Sequence, residues 1–206
     1  MMAVRITKDP IYANLGPGRR IDIGLIDPGA VDFRLMAATL AKQVRFDGRH
    51  DGPYGISAAQ HAVQGAQAIV NEIRDLRLAG LFLLRDGHQL FIGGRSRPAE
   101  DLLKAKSGTN LDEIVRNIKQ AWDLAIYEAA GMQTPDCWTR ATREALDLMD
   151  VRMTRAEAIT LFGRQAEADF PKATTPKTTG ALHPWPAAKA ELAFVEFFQR
   201  ATGRSI

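Results

Sequence analysis

Residues 76–94 read LRLAGLFLLRDGHQLFIGG. Between Leu78 and Leu84 this stretch is apolar almost all round, which predicts a helix buried on every side at the centre of the molecule. Gly93 and Gly94 are its natural end. Arg85 and Asp86 follow directly on the most apolar run of the chain, and His88 and Gln89 come next. Charges on a buried helix are costly unless they are paired or bound to a metal. The same stretch therefore suggests both the fold class and the place to look for chemistry.

Upstream, Ser57 followed by Gln60 is a capping box. It opens a helix with Val63, Ala66, Ile69, Val70 and Ile73 on one face. Before it, Asp32 caps a helix carrying Phe33, Met36, Ala37, Leu40 and Val44 at helical spacing. Residues 46–56 form a polar, Gly-rich loop. Residues 1–30 are rich in Gly and Pro and predict a short strand or hairpin extension. Downstream, Asn110 with Glu113 opens a helix with Leu111, Ile114, Ile118, Trp122, Ala125 and Ala129 inward. Thr134-Pro135 starts a long helix with Trp138, Ala141, Ala145, Leu148 and Met149 on one side, ending near Phe162 and Gly163. Residues 164–186 predict a long loop or lid, and 187–203 a closing helix with Leu192, Val195 and Phe198. The expectation is a single all-α domain over 1–206, a bundle of about six helices.

Composition narrows the function classes. The chain has 206 residues, 46% hydrophobic and 25% charged, as globular proteins do. Lys plus Arg is 27 against 24 Asp plus Glu, a net charge of +3 with no basic stripe, which argues against nucleic acid as the partner. One cysteine, Cys137, excludes a disulfide framework and a Cys-rich zinc site. A lone thiol without a signal-like apolar segment leads us to expect a cytoplasmic protein away from membranes.

Three side chains on separate helices could converge on a cation: His61 near the start of its helix, Asp86, and Asp150 among Leu148, Met149 and Met153. Imidazole and carboxylate together suit manganese, cobalt or iron. The plainer alternative is a structural ion pair and a hydrogen-bonded core histidine. Trp122 and Trp138 lie at core spacing and are read as packing, and Cys137 as structural. His50, in the loop after Arg45, is a candidate to reach a pocket.

Three blocks resemble the HD-domain phosphohydrolases of the bacterial 5′-deoxynucleotidase type. RFDG at 45–48 with SAAQH at 57–61 is similar to the family's Arg-aromatic loop and Ser-Val-Ala-Gln-His helix start. LLRDGHQLFIGG at 83–94 is similar to Leu-Leu-His-Asp-x-x-Glu-Ala-Tyr-x-Gly-Asp. Asp150 with Glu157 matches an Asp-x6-Glu. The resemblance runs from about Asp32 to Gly163 in family order. It implies an HD-type helical bundle, a homodimer, and a nucleotide or other small anion as ligand. It places His61, Asp86 and Asp150 on metal-ligand positions and Arg45 on the residue that holds the substrate phosphate.

The departures from the family cluster at this centre. Arg85 stands where the family has a second metal-binding His, Gln89 where it has a proton-transferring Glu, and Gly94 where it has an Asp. Arg stays protonated and has no lone pair to offer a metal. Gln cannot move a proton as Glu can. We therefore expect a rebuilt polar centre in which Arg85 pairs with Asp86 or Asp150, completed by Gln89 and His61, with Arg45, Arg85, His61 and His50 gripping a phosphate. On this reading hydrolysis is weak or absent. The alternatives are an active metal-dependent phosphohydrolase on nucleoside monophosphates, with His88 as a substitute imidazole, and a purely structural interaction partner.

Overall fold

The computed structural model describes residues 2–16, 18–107 and 109–206. The chain starts in two nested antiparallel pairs. β1 (Val4–Arg5) pairs with β4 (Leu25–Ile26), and between them β2 (Tyr12–Asn14) pairs with β3 (Arg20–Asp22), with Tyr12 opposite Asp22. Among the described residues after residue 30 the structure is helix and connection apart from one bridge between Val44 and Ser57, so the fold is mostly α-helical, as expected. α1 (Phe33–Leu40) begins where the Asp32 carboxylate accepts from Leu35 N, and α2 (Ala58–Ile73) where Ser57 Oγ accepts from Gln60 N. Each side chain satisfies one of the four donors that a helix start leaves open.

The stretch expected to be one continuous helix over 76–92 is two. α3 (Leu76–Leu83) stops, residues 84–88 form a turn, and α4 (Gln89–Ile92) resumes. Gly87 sits in this turn so closely packed that a Cβ would lie 3.0 Å from the Leu84 carbonyl oxygen and 3.1 Å from Met36 Sδ. The break lifts Arg85, Asp86 and His88 out of the buried helix and turns them toward one face of the bundle. α2 is the most deeply buried helix, packing on α3, α7 and α8.

Beyond Gly93, whose backbone is left-handed (φ 72°), lies α5 (Arg97–Ser107), which has no buried residue. α6 (Thr109–Ala129) begins one residue before the expected Asn110 cap, and Ile114, expected inward, is exposed. Phe91 stacks on Trp122 with ring centroids 3.6 Å apart, and Trp138 meets Tyr127 edge-on at 5.1 Å, so both tryptophans pack as expected. The long helix expected from Thr134 is a short 3₁₀ turn, Pro135–Cys137, followed by α7 (Arg140–Phe162), capped by Thr139. Its buried face carries Leu146, Met149, Met153 and Glu157, while Leu148 is exposed.

A 3₁₀ segment, Arg164–Asp169, leads to an irregular stretch over 171–186. This stretch is strapped to the bundle. Arg152 forks onto Glu72 at 2.7 and 2.8 Å and donates to the carbonyls of Thr174 and Thr175. Glu72 accepts from Lys177 N, and Gln60 bridges His183 O and Trp185 N. α8 (Ala187–Thr202) closes the core through Phe194 and Phe198, the latter stacked on Phe33 at 4.4 Å, whereas Leu192 is exposed. No helix among the described residues is long and apolar enough to cross a membrane.

Candidate functional site

A cleft of about 1320 Å³ opens where the turn 84–88 faces α7 and the loop after α1, lined among others by Arg45, Arg85, Asp86, Gln89 and Asp150. Its floor is a charged network centred on Glu157, which is fully buried. Arg45 Nε donates to Glu157 Oε2 at 2.8 Å and Arg45 Nη2 to Thr154 Oγ1 at 2.7 Å. His61 Nδ1 lies 2.8 Å from Glu157 Oε1. A carboxylate only accepts, so Nδ1 carries the proton.

The backbone that delivers Arg45 is unusual. Phe46 and Asp47 are both left-handed (φ 56° and 55°), followed by Gly48 at φ 66°. Non-glycine residues in that region cost about 1–2 kcal/mol each. Arg45 N donating to Ile56 O at 2.9 Å and the edge-on contact of Phe46 with Phe162 at 5.5 Å hold the turn.

His61 is buried, and its second nitrogen, Nε2, lies 3.1 Å from Asp150 Oδ1. That is an ion-pair distance, yet Nε2 has no aligned hydrogen-bond partner. Arg85 occupies the mouth of the same centre. Its Nη1 donates to Asp147 Oδ1 at 2.8 Å and its Nη2 is 3.6 Å from Asp150 Oδ2. Asp86 Oδ2 is 3.7 Å from Arg45 Nη1. Burial and the Arg45 charge push His61 down, but Glu157 and Asp150 outweigh them and raise its pKa to about 9. Desolvation pushes the Asp150 carboxyl up, but the positive charge of the adjacent His61, with the two arginines, holds it well below the usual carboxylate range. Three cations, Arg45, Arg85 and protonated His61, thus face four carboxylates, Asp86, Asp147, Asp150 and Glu157.

Of the residues expected here, Arg45, Arg85, His61, Asp86 and Asp150 come together. The expected pairing of Arg85 falls on Asp150, with Asp147 as a second partner. Gln89 lines the cleft at the start of α4, but among the described residues its side chain makes no hydrogen bond to the network. A Cβ on Gly94 would lie 2.7 Å from Gln89 Oε1, so a larger residue at 94 would displace that carboxamide. His88 also faces the cleft, 2.9 Å from Asp123 Oδ1, rather than the Asp150 centre. Burial raises the Asp123 carboxyl, against the pull of His88. His50 does not line the cleft. Its ring lies over Gly55, where a Cβ would come within 2.5 Å of His50 Nε2.

Thr154, Asp147 and Asp123 are the participants that reading the sequence for chemistry did not single out, and Glu157 entered it only as the spaced partner of Asp150, with no role of its own. Asp147, Asp150, Thr154 and Glu157 are spaced 3, 4 and 3 apart and share one face of α7, a signal available in the sequence.

Manganese, cobalt or iron does not fit these side chains as they stand. Asp86 and Asp150 each face a guanidinium, and among the described residues no three His, Cys, Asp or Glu side chains converge in a way that could hold a metal ion. Compared with known proteins, the chain matches no family model, and no curated protein matches it.

Proposed function

We propose that this chain is a degenerate HD-type domain, cytoplasmic and homodimeric, that binds a nucleotide or another phosphate-bearing small molecule in the cleft with weak or no hydrolysis. The observation that carries this reading is the placement of Arg85 between Asp147 and Asp150, where the resembled family has a metal-binding imidazole. A guanidinium supplies fixed positive charge and directed donors to a phosphate. It cannot activate a water as a metal does. Gln89 removes the proton-transfer partner, and such assistance is worth about 10²–10⁴ in rate. The cleft is large enough for a nucleoside monophosphate, since ligand pockets usually measure about 300–1,000 Å³.

The test is calorimetry and thermal shift with a panel of ribo- and deoxynucleoside monophosphates and inorganic phosphate, beside phosphate-release assays with manganese or cobalt added. Saturable binding with release no faster than the protein-free blank is the expected result. Failure of the whole panel to bind refutes the reading.

One observation favours the active-phosphohydrolase alternative. The Nδ1–H of His61 is anchored by Glu157 and its Nε2 has no aligned partner, the arrangement that carboxylates impose on metal-bound imidazoles. Metal-dependent release from the panel would establish that alternative.

A further inference from the structure

We infer that Arg85 is a tethered cation that stands in for a divalent metal and keeps metal ions out of a half-site retained in His61 and Asp150. This builds on the reading of the centre as metal-derived, and it does not depend on which ligand the cleft binds.

The half-site is the pair His61 Nε2 and Asp150 Oδ1, 3.1 Å apart. Nε2 is buried, lacks an aligned partner and points at the carboxylate, while Glu157 fixes the ring through Nδ1. A metal would need His61 to shed its Nε2 proton, so that the Nε2 lone pair and an oxygen of Asp150 could both bind it. The second oxygen of Asp150 instead faces the Arg85 guanidinium at 3.6 Å. Arg85 cannot shed its proton to make room, because guanidinium stays charged in proteins.

Asp147 separates a built position from a drifted one. An arginine left over from a decayed site would have no reason to point inward from the turn 84–88. Here its Nη1 is held at 2.8 Å by Asp147, three residues before Asp150 and on the same face of α7. The Asp147 side chain is 65% exposed, lies outside the buried Arg45–Glu157–His61 contacts, and among the described residues its polar contact is this guanidinium. It works as the anchor that holds the positive charge over Asp150.

The experiment is a Co²⁺ titration of the full chain followed by visible absorption, with Mn²⁺ calorimetry beside it. The wild type should show no ligand-field bands and no saturable heat. Arg85→Ala and Arg85→His should bind Co²⁺ about 100-fold or more tighter than the wild type, because a fixed positive charge about 4 Å from the ion has been removed. Arg85→Lys keeps the charge and should remain as cobalt-blind as the wild type. Asp150→Asn added to Arg85→His should abolish the gain. Asp147→Asn, an exposed change that leaves the core untouched, should give an intermediate gain by freeing the guanidinium.

One Co²⁺ bound by the wild type at micromolar affinity or better overturns the inference. So do Arg85→Ala and Arg85→His proteins that keep native circular dichroism yet bind no tighter than the wild type. If neither variant folds, the wild-type and Asp147→Asn titrations decide, and no gain in Asp147→Asn overturns it. Nucleotide binding is read separately, so loss of that function and loss of this inference are distinguishable.

Discussion

Glu157→Gln tests whether the buried network behaves as its geometry says. The carboxylate accepts from Arg45 Nε and His61 Nδ1, each at 2.8 Å, and is inaccessible to water. A carboxamide has one acceptor oxygen, so one of the two charged donors loses its partner and faces an NH₂ group. Breaking one side of a buried charge network costs about 3–5 kcal/mol, and Arg45 keeps Thr154, so a loss of about 3 kcal/mol is expected. For a chain of this length that is a fall in Tm of about 6–12 °C.

The pH dependence supplies a second, independent figure. The folded-state pKa of His61 is raised from 6.5 to about 9. A raised pKa gives stability that is fully present below 6.5 and is lost as pH rises through 9. Across that window the His61 contribution is about 3 kcal/mol, at 1.36 kcal/mol per pH unit. Glu157 is one of the two groups that raise this pKa, so the alkaline decline should flatten in the variant. The assay is urea unfolding of both proteins at intervals from pH 6 to 10. Parallel stability curves across 6.5–9, or a loss at pH 6 below about 1 kcal/mol, would refute the reasoning.

Three further outcomes follow from contacts elsewhere. Gly65→Ala would place a Cβ 2.1 Å from Phe82 Cε1 in the core, so a loss of about 2–3 kcal/mol in urea unfolding is expected. Glu72→Gln breaks the fork to Arg152 and should cost about 3 kcal/mol in urea unfolding while accelerating proteolysis within 171–186. Ser57→Ala removes the α2 cap and should lower the unfolding free energy by about 1 kcal/mol in the same assay.

Much of the fold was legible because it depends on local chemistry. Asp32 and Ser57 cap as their side chains require, and Gly163 stops α7. The N-terminal strands sit in the Gly- and Pro-rich segment. What escaped was phase. The apolar run after Leu78 gives no sign of where one helix ends, because Leu90 and Phe91 are as apolar as Leu83. In the structure the turn brings Gly87 against the Leu84 carbonyl and Met36 too closely for a side chain. α5 escaped because none of its residues is buried, so the core imposes no pattern on it. On α7 the assumed start at Thr134 put Leu148 beside Met149 on the inner face, whereas with the cap at Thr139 Met149 is buried with Leu146 and Met153 and Leu148 is exposed. That correction also explains the site, since Glu157 lies on the buried phase. The meeting of Arg45, His61 and Asp150 was legible from the quoted blocks. Asp150 was one of the two partners expected for Arg85, but its hydrogen-bonded partner Asp147 was not legible, because that contact depends on how the turn 84–88 aims the side chain across to α7.

The strap over 171–186 is held mainly by its own carbonyls. Ala173, Thr174, Thr175, Lys177 and His183 present backbone oxygens to Arg155, Arg152, Asn71 and Gln60, side chains on α2 and α7. Every residue type carries a carbonyl, so most of these grips do not depend on which side chain the segment bears. The segment can therefore change its sequence from one descendant to the next while its path stays the same, and the cost of drift falls on the helices that hold it.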